Sequence, residues 1–172
     1  MDLTTRLRRI RLFLCDVDGV LTEAQITMGG EAETKTFHIR DGLGLRLLQT
    51  EGIRVGWVSA RPSNATNLRA ADLKVDFLHQ SSGSKVTAIE GILAEAGVTW
   101  DETLYMGDDV VDLGALKRAG VAAVPADAIQ EAKERAHYIC QIAGGRGAVR
   151  EVVDLVLKAQ NRWAAMIERF SE

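Results

Sequence analysis

The chain has 172 residues, of which 47% are hydrophobic and 26% charged, and its formal net charge is −3. This length and composition are typical of one globular unit with a sizeable core and leave no room for a second full domain, so we expect a single domain over residues 1–172. The slightly acidic balance gives no electrostatic case for binding nucleic acid. No apolar run approaches the roughly 20 residues that span a bilayer, so no membrane partner is expected.

The N-terminal segment is basic and precedes a short apolar strand. Its arginines are Arg6, Arg8, Arg9 and Arg11. We interpret them as the solvated face of a helix, because the apolar run after them is too short for a secretory leader and ends at Asp16. The two cysteines, Cys15 and Cys140, are expected to be buried and reduced. Together these features predict a cytoplasmic protein.

Apolar runs alternate with amphipathic segments, which predicts a Rossmann-like α/β fold, a parallel sheet flanked by crossover helices. The predicted strands are 11–16, 54–58, 76–79, 103–106, 121–124 and 137–139. The predicted helices are 43–51, 62–72, 84–96, 111–118, 128–134 and 147–169. Several of these helices are followed by glycine, which is typical of helix ends.

The first predicted strand ends in two carboxylates, Asp16 and Asp18, and Gly19 follows them. Residues i and i+2 of a strand share a face, so these carboxylates would repel each other unless a cation or a phosphoryl group lay between them. Gly19 lets the chain turn away sharply. The alternative is a solvated turn whose carboxylates cap the next element.

Residues 23–39 interrupt the alternation of strands and helices. Ile26 and Met28, then two glycines, then Lys35 and Phe37 predict a β-hairpin inserted after the first strand. An insert of about 17 residues is too short to fold as a separate cap domain. The fold would therefore be capless, with an open pocket that a second subunit could cover, which predicts a homo-oligomer.

Polar groups also follow later strands, which argues against the simple turn. Ser59 ends one apolar run, Lys85 lies at the start of a helix, and Gly107-Asp108-Asp109 follows another strand. Ligands bind beyond the carboxyl ends of parallel strands, so these groups and Asp16 predict one pocket.

The residue types in this pocket suit phosphoryl transfer. Asp16 can act as a nucleophile that forms an aspartyl phosphate, and Asp18 can protonate the leaving alkoxide and then activate water. Clustered carboxylates of Asp16, Asp108 and Asp109 suit Mg²⁺, which prefers oxygen ligands. Lys85 and the Ser59 hydroxyl would orient the phosphoryl oxygens.

The four parts of this pattern resemble the motifs of the haloacid dehalogenase superfamily of phosphatases. They are Asp16-Val17-Asp18-Gly19, Ser59, Lys85, and Gly107-Asp108-Asp109 with Asp112. The resemblance implies that Mg²⁺ binds the side chains of Asp16 and Asp108 and the backbone carbonyl of Asp18. It also implies that Asp109 and Asp112 orient these ligands without binding the metal.

Two further segments, 37–46 and 142–152, resemble one subgroup, the 3-deoxy-D-manno-octulosonate 8-phosphate (KDO 8-phosphate) phosphatases. The substrate contacts that this resemblance implies are His38, Arg40, Asp41, Gly42, Arg46, Arg61, Arg69 and Lys85. Arg146, held among three glycines, suits anion binding as well. In the subgroup, the C-terminal tail, here 142–172 with its final helix, reaches toward a neighbouring active site, and the hairpin builds a tetramer.

Arg61 bears on the choice of substrate. Relatives that act on nine-carbon keto-deoxy sugar acid phosphates tend to have an acidic residue there, and a guanidinium can pair with a sugar-acid carboxylate. Two departures from the subgroup bear on fine specificity: Ser59-Ala60 stands where Thr-Gly is more usual, and His38 where Asn is usual.

The expected function is Mg²⁺-dependent hydrolysis of KDO 8-phosphate, in lipopolysaccharide biosynthesis. Three alternatives remain at this stage: a phosphatase for a nine-carbon sugar acid 9-phosphate, a receiver-like phospho-aspartate switch, and a catalytically silent oligomerisation domain. A switch has no need for Asp18 beside the nucleophile. A silent domain is expected to lack Asp16, Asp18 or Lys85, and all three are present.

Overall fold

A parallel sheet forms the centre of the structure, a computed structural model that describes residues 1–27 and 33–171. Within those residues the sheet has six strands: β1 Leu12–Cys15, β2 Arg54–Ser59, β3 Phe77–Gln80, β4 Thr103–Met106, β5 Val121–Val124 and β6 Tyr138–Ile139. Their order is β3-β2-β1-β4-β5-β6. The predicted α/β class is confirmed, and each predicted strand is present within one residue at either end. Because β1 lies between β2 and β4, its carboxyl end has a strand end on each side.

Helices cover both faces of the sheet. They are α1 Leu3–Arg8, α2 Ile39–Thr50, α3 Asn64–Asp72, α4 Lys85–Ala96, α5 Leu113–Leu116, α6 Gln130–Lys133, α7 Ala148–Ala159 and α8 Trp163–Arg169. Short 3₁₀ turns span Trp100–Glu102 and Val110–Asp112. In the first turn of α2, Asp41 lies where a carboxylate suits the helix dipole.

The predicted helix boundaries were wrong in two places. Helix α2 begins at Ile39 and not at residue 43, although Gly42 and Gly44 are poor helix formers. Close packing explains why this helix contains two glycines. An added Cβ would lie 2.3 Å from Arg69 at position 42 and 3.1 Å from Arg150 at position 44. The predicted helix 147–169 is two helices, separated where Asn161 adopts a left-handed φ of 59°.

Successive side chains of the central strands enter two separate hydrophobic layers. Phe13 and Cys15 pack with α1, α2 and α7 on one face, whereas Leu12 and Leu14 pack with α4 and α5 on the other. A strand buried on both faces has no polar alternation. This explains why β1 is a continuous apolar run that becomes polar only at its end.

The N-terminal predictions are confirmed in most respects. Arg8, Arg9 and Arg11 are exposed, but Arg6 is half-buried and donates to the Gly120 carbonyl over 2.8 Å. Both cysteines are buried and free. Among the residues that the structure describes, no helix is long and apolar enough to cross a membrane.

The predicted hairpin at 23–39 is described only in part. Thr27 and Thr34 form an antiparallel bridge, which is the pairing expected between two hairpin arms. The predicted turn after Met28 lies outside the described residues. The segment that follows the bridge runs past the carboxyl end of β1 and contacts Asp18 through Lys35.

Candidate active site

The carboxyl ends of three adjacent strands meet at one edge of the sheet. Asp16 follows β1, Ser59 ends β2, and Gly107 follows β4. The pairing of Cys15 with Trp57 and with Met106 sets these three ends level. Lys85, the first residue of α4, reaches the same edge. The structure therefore brings together the four motif positions that the sequence predicted to share one pocket.

Asp16 is held by two donors. One carboxylate oxygen accepts from the Val17 N–H over 2.6 Å, and the other lies 2.8 Å from the Lys85 ammonium. Burial raises the pKa of Asp16 to about 6, and the charge of Asp112 adds to this effect, while Lys85 opposes it. Burial lowers the pKa of Lys85, but the carboxylates of Asp112 and Asp16 outweigh burial and leave that pKa above its ordinary value. Lys85 therefore stays positively charged beside Asp16.

Asp112 holds the Lys85 side chain and the loop that follows β4. Its side chain is 0% exposed, and one oxygen accepts from Lys85 over 2.7 Å and from the Tyr105 hydroxyl over 2.6 Å. The other oxygen accepts from the backbone N–H groups of Asp108 and Asp109, over 3.0 and 3.2 Å. Through these four bonds Asp112 orients Lys85 and the loop after β4.

A candidate cation site includes Asp112 and two neighbouring carboxylates. Carboxylate oxygens of Asp16, Asp108 and Asp112 lie within 4.8 Å of one another. One oxygen of Asp108 is buried and has no hydrogen-bond partner in the described part of the chain. Burial, then the charges of Asp112 and Asp16, raise the pKa of Asp108 to about 8. A divalent cation would relieve this repulsion, and the carboxylates of Asp16 and Asp108 suit Mg²⁺.

The geometry corrects one part of the predicted carboxylate cluster. Asp109 is exposed and accepts from the Val110 N–H over 2.7 Å, so it caps a 3₁₀ turn, and Asp112 takes its place in the cluster. Gly19 makes the approach of Asp108 possible. It has a φ of 94°, and a Cβ there would lie 2.0 Å from an Asp108 oxygen.

Asp18 is held from a different direction. Its side chain is 24% exposed, and the Lys35 ammonium lies 2.8 Å from its carboxylate. The Lys35 side chain is 0% exposed. Sequence reasoning missed this contact, because Lys35 was interpreted only as a hairpin residue. A lysine in an otherwise strand-like segment was the one available signal.

Ser59 and Arg61 form the turn after β2. The buried Ser59 hydroxyl lies 3.1 Å from both the N–H and the carbonyl of Arg61. The Arg61 guanidinium is 44% exposed and pairs with Glu33. Glu33 also accepts from the Ser63 hydroxyl over 3.0 Å. The basic position after the second motif thus has an acidic partner, which comes from the inserted segment.

Comparison with known proteins identifies the relationship. Residues 74–152 match the family model for haloacid dehalogenase-like hydrolases. The chain is 39% identical over 162 residues to 3-deoxy-D-manno-octulosonate 8-phosphate phosphatase of Yersinia pestis, an alignment that covers 94% of this chain and 87% of the relative. The chain belongs to this phosphatase family within the haloacid dehalogenase superfamily.

Two solved structures of the family superpose closely. The phosphatase from Moraxella catarrhalis, in complex with a magnesium ion, a phosphate ion and KDO, has a TM-score of 0.94 at 36% identity and covers 97% of both chains. The Yersinia pestis phosphatase has a TM-score of 0.91 at 40% identity, over 94% of this chain and 88% of that one. The described part of this chain therefore has the family's fold throughout.

The other residues that the resemblance assigned to substrate lie around this centre at various distances. Arg69 pairs with Asp72 over 2.6 Å and lines a cavity of about 810 Å³, which also has Glu33 and Ser63 in its wall. Gly42 packs against Arg69. These residues stay predicted substrate contacts of a phosphatase of this family.

A second cavity, of about 520 Å³, contains three predicted contacts, His38, Arg40 and Arg146. Asp41 is buried nearby and accepts from the Arg150 N–H over 2.8 Å. The other Asp41 oxygen lies 4.0 Å from His38 Nδ1, and neither of these two atoms has a hydrogen-bond partner among the described residues. The structure does not place these residues beside Asp16 of the same chain.

The last features that the resemblance assigned to substrate binding are Arg46 and the C-terminal tail. Arg46 donates to the Leu73 carbonyl over 3.1 Å, on the side of α2 that faces the end of α3. In the tail, the Gly145 N–H donates to the Val20 carbonyl over 2.9 Å, and a Cβ at Gly144 would lie 1.8 Å from the Gly19 carbonyl. The glycines of the tail therefore pack on the loop that follows Asp18 in the same chain.

Proposed function

We propose that this protein is a Mg²⁺-dependent phosphatase that hydrolyses KDO 8-phosphate to KDO and phosphate through an aspartyl phosphate on Asp16. The carrying observation is the placement of Asp16. Its carboxylate lies between the Lys85 ammonium and the Val17 N–H, beside a buried Asp108 oxygen without a partner. The proposed nucleophile, its counter-charge and a cation ligand thus lie at one edge of the sheet.

Each residue has a separate part in the proposed reaction. An Asp16 oxygen forms a bond to phosphorus while the bond from phosphorus to the sugar oxygen breaks, and Asp18 gives that oxygen its proton. Water then attacks the phosphorus of phospho-Asp16, Asp18 takes up a water proton, and the carboxylate of Asp16 is released. Lys85 and Ser59 orient the phosphoryl oxygens. Mg²⁺ held by Asp16, Asp108 and the Asp18 carbonyl would neutralise phosphate charge.

The choice of an eight-carbon substrate is supported by the relatives, which are named for KDO 8-phosphate, and by the basic side chain at Arg61. Arg61 pairs with Glu33 here. A substrate carboxylate would exchange one carboxylate partner for another, with no unpaired charge left on the guanidinium. A nine-carbon sugar acid phosphate is the competing substrate that this position disfavours.

The proposal extends to the setting of the enzyme. KDO is a component of lipopolysaccharide, so the reaction belongs to lipopolysaccharide biosynthesis, and we place it in the cytoplasm. Residues 1–172 would act as one domain, with the insert 23–39 and the tail 142–172 contributing to a homo-oligomer, a tetramer by analogy with the subgroup. Light scattering coupled to size-exclusion chromatography measures the subunit number directly.

Phosphate release tests the activity. The unmodified protein is assayed with KDO 8-phosphate, N-acetylneuraminate 9-phosphate and glucose 6-phosphate, with Mg²⁺ and with EDTA. A clear preference for KDO 8-phosphate that EDTA abolishes is the expected result. Similar rates on all three would keep the phosphatase and reject the substrate. No release from any of them would reject the catalytic proposal and favour a switch or a silent scaffold.

A further inference from the structure

Lys35 is a buried cation with one close carboxylate. Its side chain is 0% exposed, and its ammonium lies 2.8 Å from Asp18, 3.4 Å from the Thr66 hydroxyl and 3.9 Å from Glu33. Lysine is almost never fully buried unless it is paired. Glu33 already binds Arg61 and Ser63. Among the residues that the structure describes, Asp18 is therefore the principal partner of Lys35.

Lys35 is among the residues that line the cavity of about 810 Å³, but its side chain is 0% exposed. Its ammonium therefore acts through the groups that it touches. Those groups are Asp18 and Thr66, and Asp18 is the proposed acid and base. Lys35 is thus placed to affect the reaction through the orientation of Asp18.

Asp18 has little other support. It lies in the turn after β1, and its side chain is 24% exposed. Within residues 1–27 and 33–171, its remaining side-chain hydrogen bond is with the Thr22 hydroxyl at 3.5 Å, the outer limit of such a bond. Asp16 differs, because a backbone N–H and Lys85 fix both of its oxygens. Without Lys35, the Asp18 carboxylate would be free to rotate toward solvent.

We propose that Lys35 is a positioning residue that holds the Asp18 carboxyl group toward the leaving-group oxygen. The inference rests on the proposed phosphatase function and adds a residue to it. The step it serves is the transfer of the Asp18 proton to the sugar oxygen as the bond from that oxygen to phosphorus breaks. A misplaced donor slows that step and leaves the Asp16 attack intact.

Two substrates with different leaving groups test the proposal. The sugar alkoxide of KDO 8-phosphate needs a proton, whereas p-nitrophenolate is a stable anion that leaves without one. For Lys35→Met, which removes the charge and keeps the length, we expect kcat/KM on KDO 8-phosphate to fall by about 100-fold and kcat/KM on p-nitrophenyl phosphate by less than about threefold. The ratio kcat/KM is compared because it reports the formation of phospho-Asp16 and not its hydrolysis, in which Asp18 serves both substrates alike. Lys117→Met, at an exposed lysine, is the matched control.

Thr66→Val provides a second variant, because it removes the weaker Lys35 contact and keeps the shape of the side chain. It should shift the two substrates in the same sense, by a smaller factor. Melting temperatures of all variants show whether the fold is retained. Equal losses of kcat/KM on both substrates, or no loss on either, would overturn the positioning role.

A crystal structure of Lys35→Met separates this inference from the choice of substrate. We expect the Asp18 carboxylate to leave its present position while Asp16 and Lys85 stay in place. An unmoved Asp18 would overturn the inference, even if KDO 8-phosphate is the substrate. If the unmodified protein prefers another sugar phosphate, the proposed substrate fails, and the leaving-group comparison is made with that sugar phosphate.

Discussion

Asp16 and Asp18 are two residues apart, yet different parts of the fold hold them. Asp16 follows the central strand, and its partners Lys85, Asp112 and Tyr105 come from α4, a 3₁₀ turn and β4, all buried. Asp18 is held by Lys35, from the segment after the inserted hairpin. Thus Asp16, the proposed nucleophile, is held mainly by residues of helices and strands, whereas Asp18, the proposed acid, is held by a residue of an irregular segment.

This difference predicts two kinds of mutational effect. On the Asp16 side, changes to its buried partners Asp112 and Tyr105 should alter stability and catalysis together, since these partners are linked to Lys85 and to each other by hydrogen bonds. On the Asp18 side, the pair of Glu33 and Arg61 is partly exposed and contributes little to folding, so a change there should alter kinetics more than stability. The predictions below test this division, beginning with the largest expected effect.

Asp16→Asn should abolish turnover, with a loss of at least about 10⁴-fold, because an amide cannot form the phosphoryl ester. The fold should be retained and its melting temperature unchanged or higher, since the substitution removes a buried charge whose pKa is raised by burial. Phosphate release and thermal melting measure both. Asp101→Asn, at an exposed carboxylate, is the control. Retained turnover would refute the nucleophile assignment.

Asp112→Asn should impair both properties. It leaves Lys85 with one carboxylate fewer in a buried site, which we expect to cost roughly 3 kcal/mol of unfolding free energy and about 100-fold in kcat. Tyr105→Phe removes one hydrogen bond to a charged group from the same carboxylate and should cost roughly 1.5–3 kcal/mol. Urea unfolding gives both free energies. Full stability of Asp112→Asn would show that the buried network does not couple folding to the site.

Stability without metal should depend on pH. The pKa values of Asp16 and Asp108 are raised from 3.8 to about 6 and about 8, so the folded state keeps protons that the unfolded state has lost. Their contribution is complete below about pH 4 and is lost as pH rises through about 6 and about 8. In EDTA the melting temperature should therefore fall across this range.

Mg²⁺ should reverse that loss. At saturating Mg²⁺ and pH 8 we expect the melting temperature to rise by roughly 5–10 °C, and by less at pH 5, where protons compete for the carboxylates. Asp108→Asn should weaken the response to both pH and Mg²⁺. Equal melting temperatures at pH 5 and pH 8 in EDTA would contradict the proposed carboxylate repulsion.

The smallest effect is expected from Glu33→Gln, on the exposed side of the site. It removes the charge that pairs with Arg61 and should leave the melting temperature within about 1 °C of the original. The released Arg61 guanidinium should lower KM for the sugar-acid substrate by a few-fold at most. Steady-state kinetics measures this change. A large loss of stability would show that the pair of Glu33 and Arg61 is coupled to folding as strongly as the buried partners of Asp16.

Much of the arrangement around Asp16 was predictable from the sequence. The apolar runs predicted each strand, and the parallel arrangement then required the groups at Asp16, Ser59 and Gly107 to meet at one edge. The boundaries of α2 were less accessible, since its glycines oppose helix formation and only their contacts with Arg69 and Arg150 explain them. The replacement of Asp109 by Asp112 in the cluster likewise depends on how the turn after β4 closes.

The sequence by itself determined the fold class and the meeting of Asp16, Ser59 and Gly107 at one edge of the sheet, because strand periodicity and short motifs are local properties of the chain. Tertiary structure alone decided that Lys35 reaches Asp18, that Glu33 neutralises Arg61, and that the tail glycines pack on the loop after Asp18. Each of these contacts joins irregular segments, for which no repeating geometry relates position in the sequence to position in space.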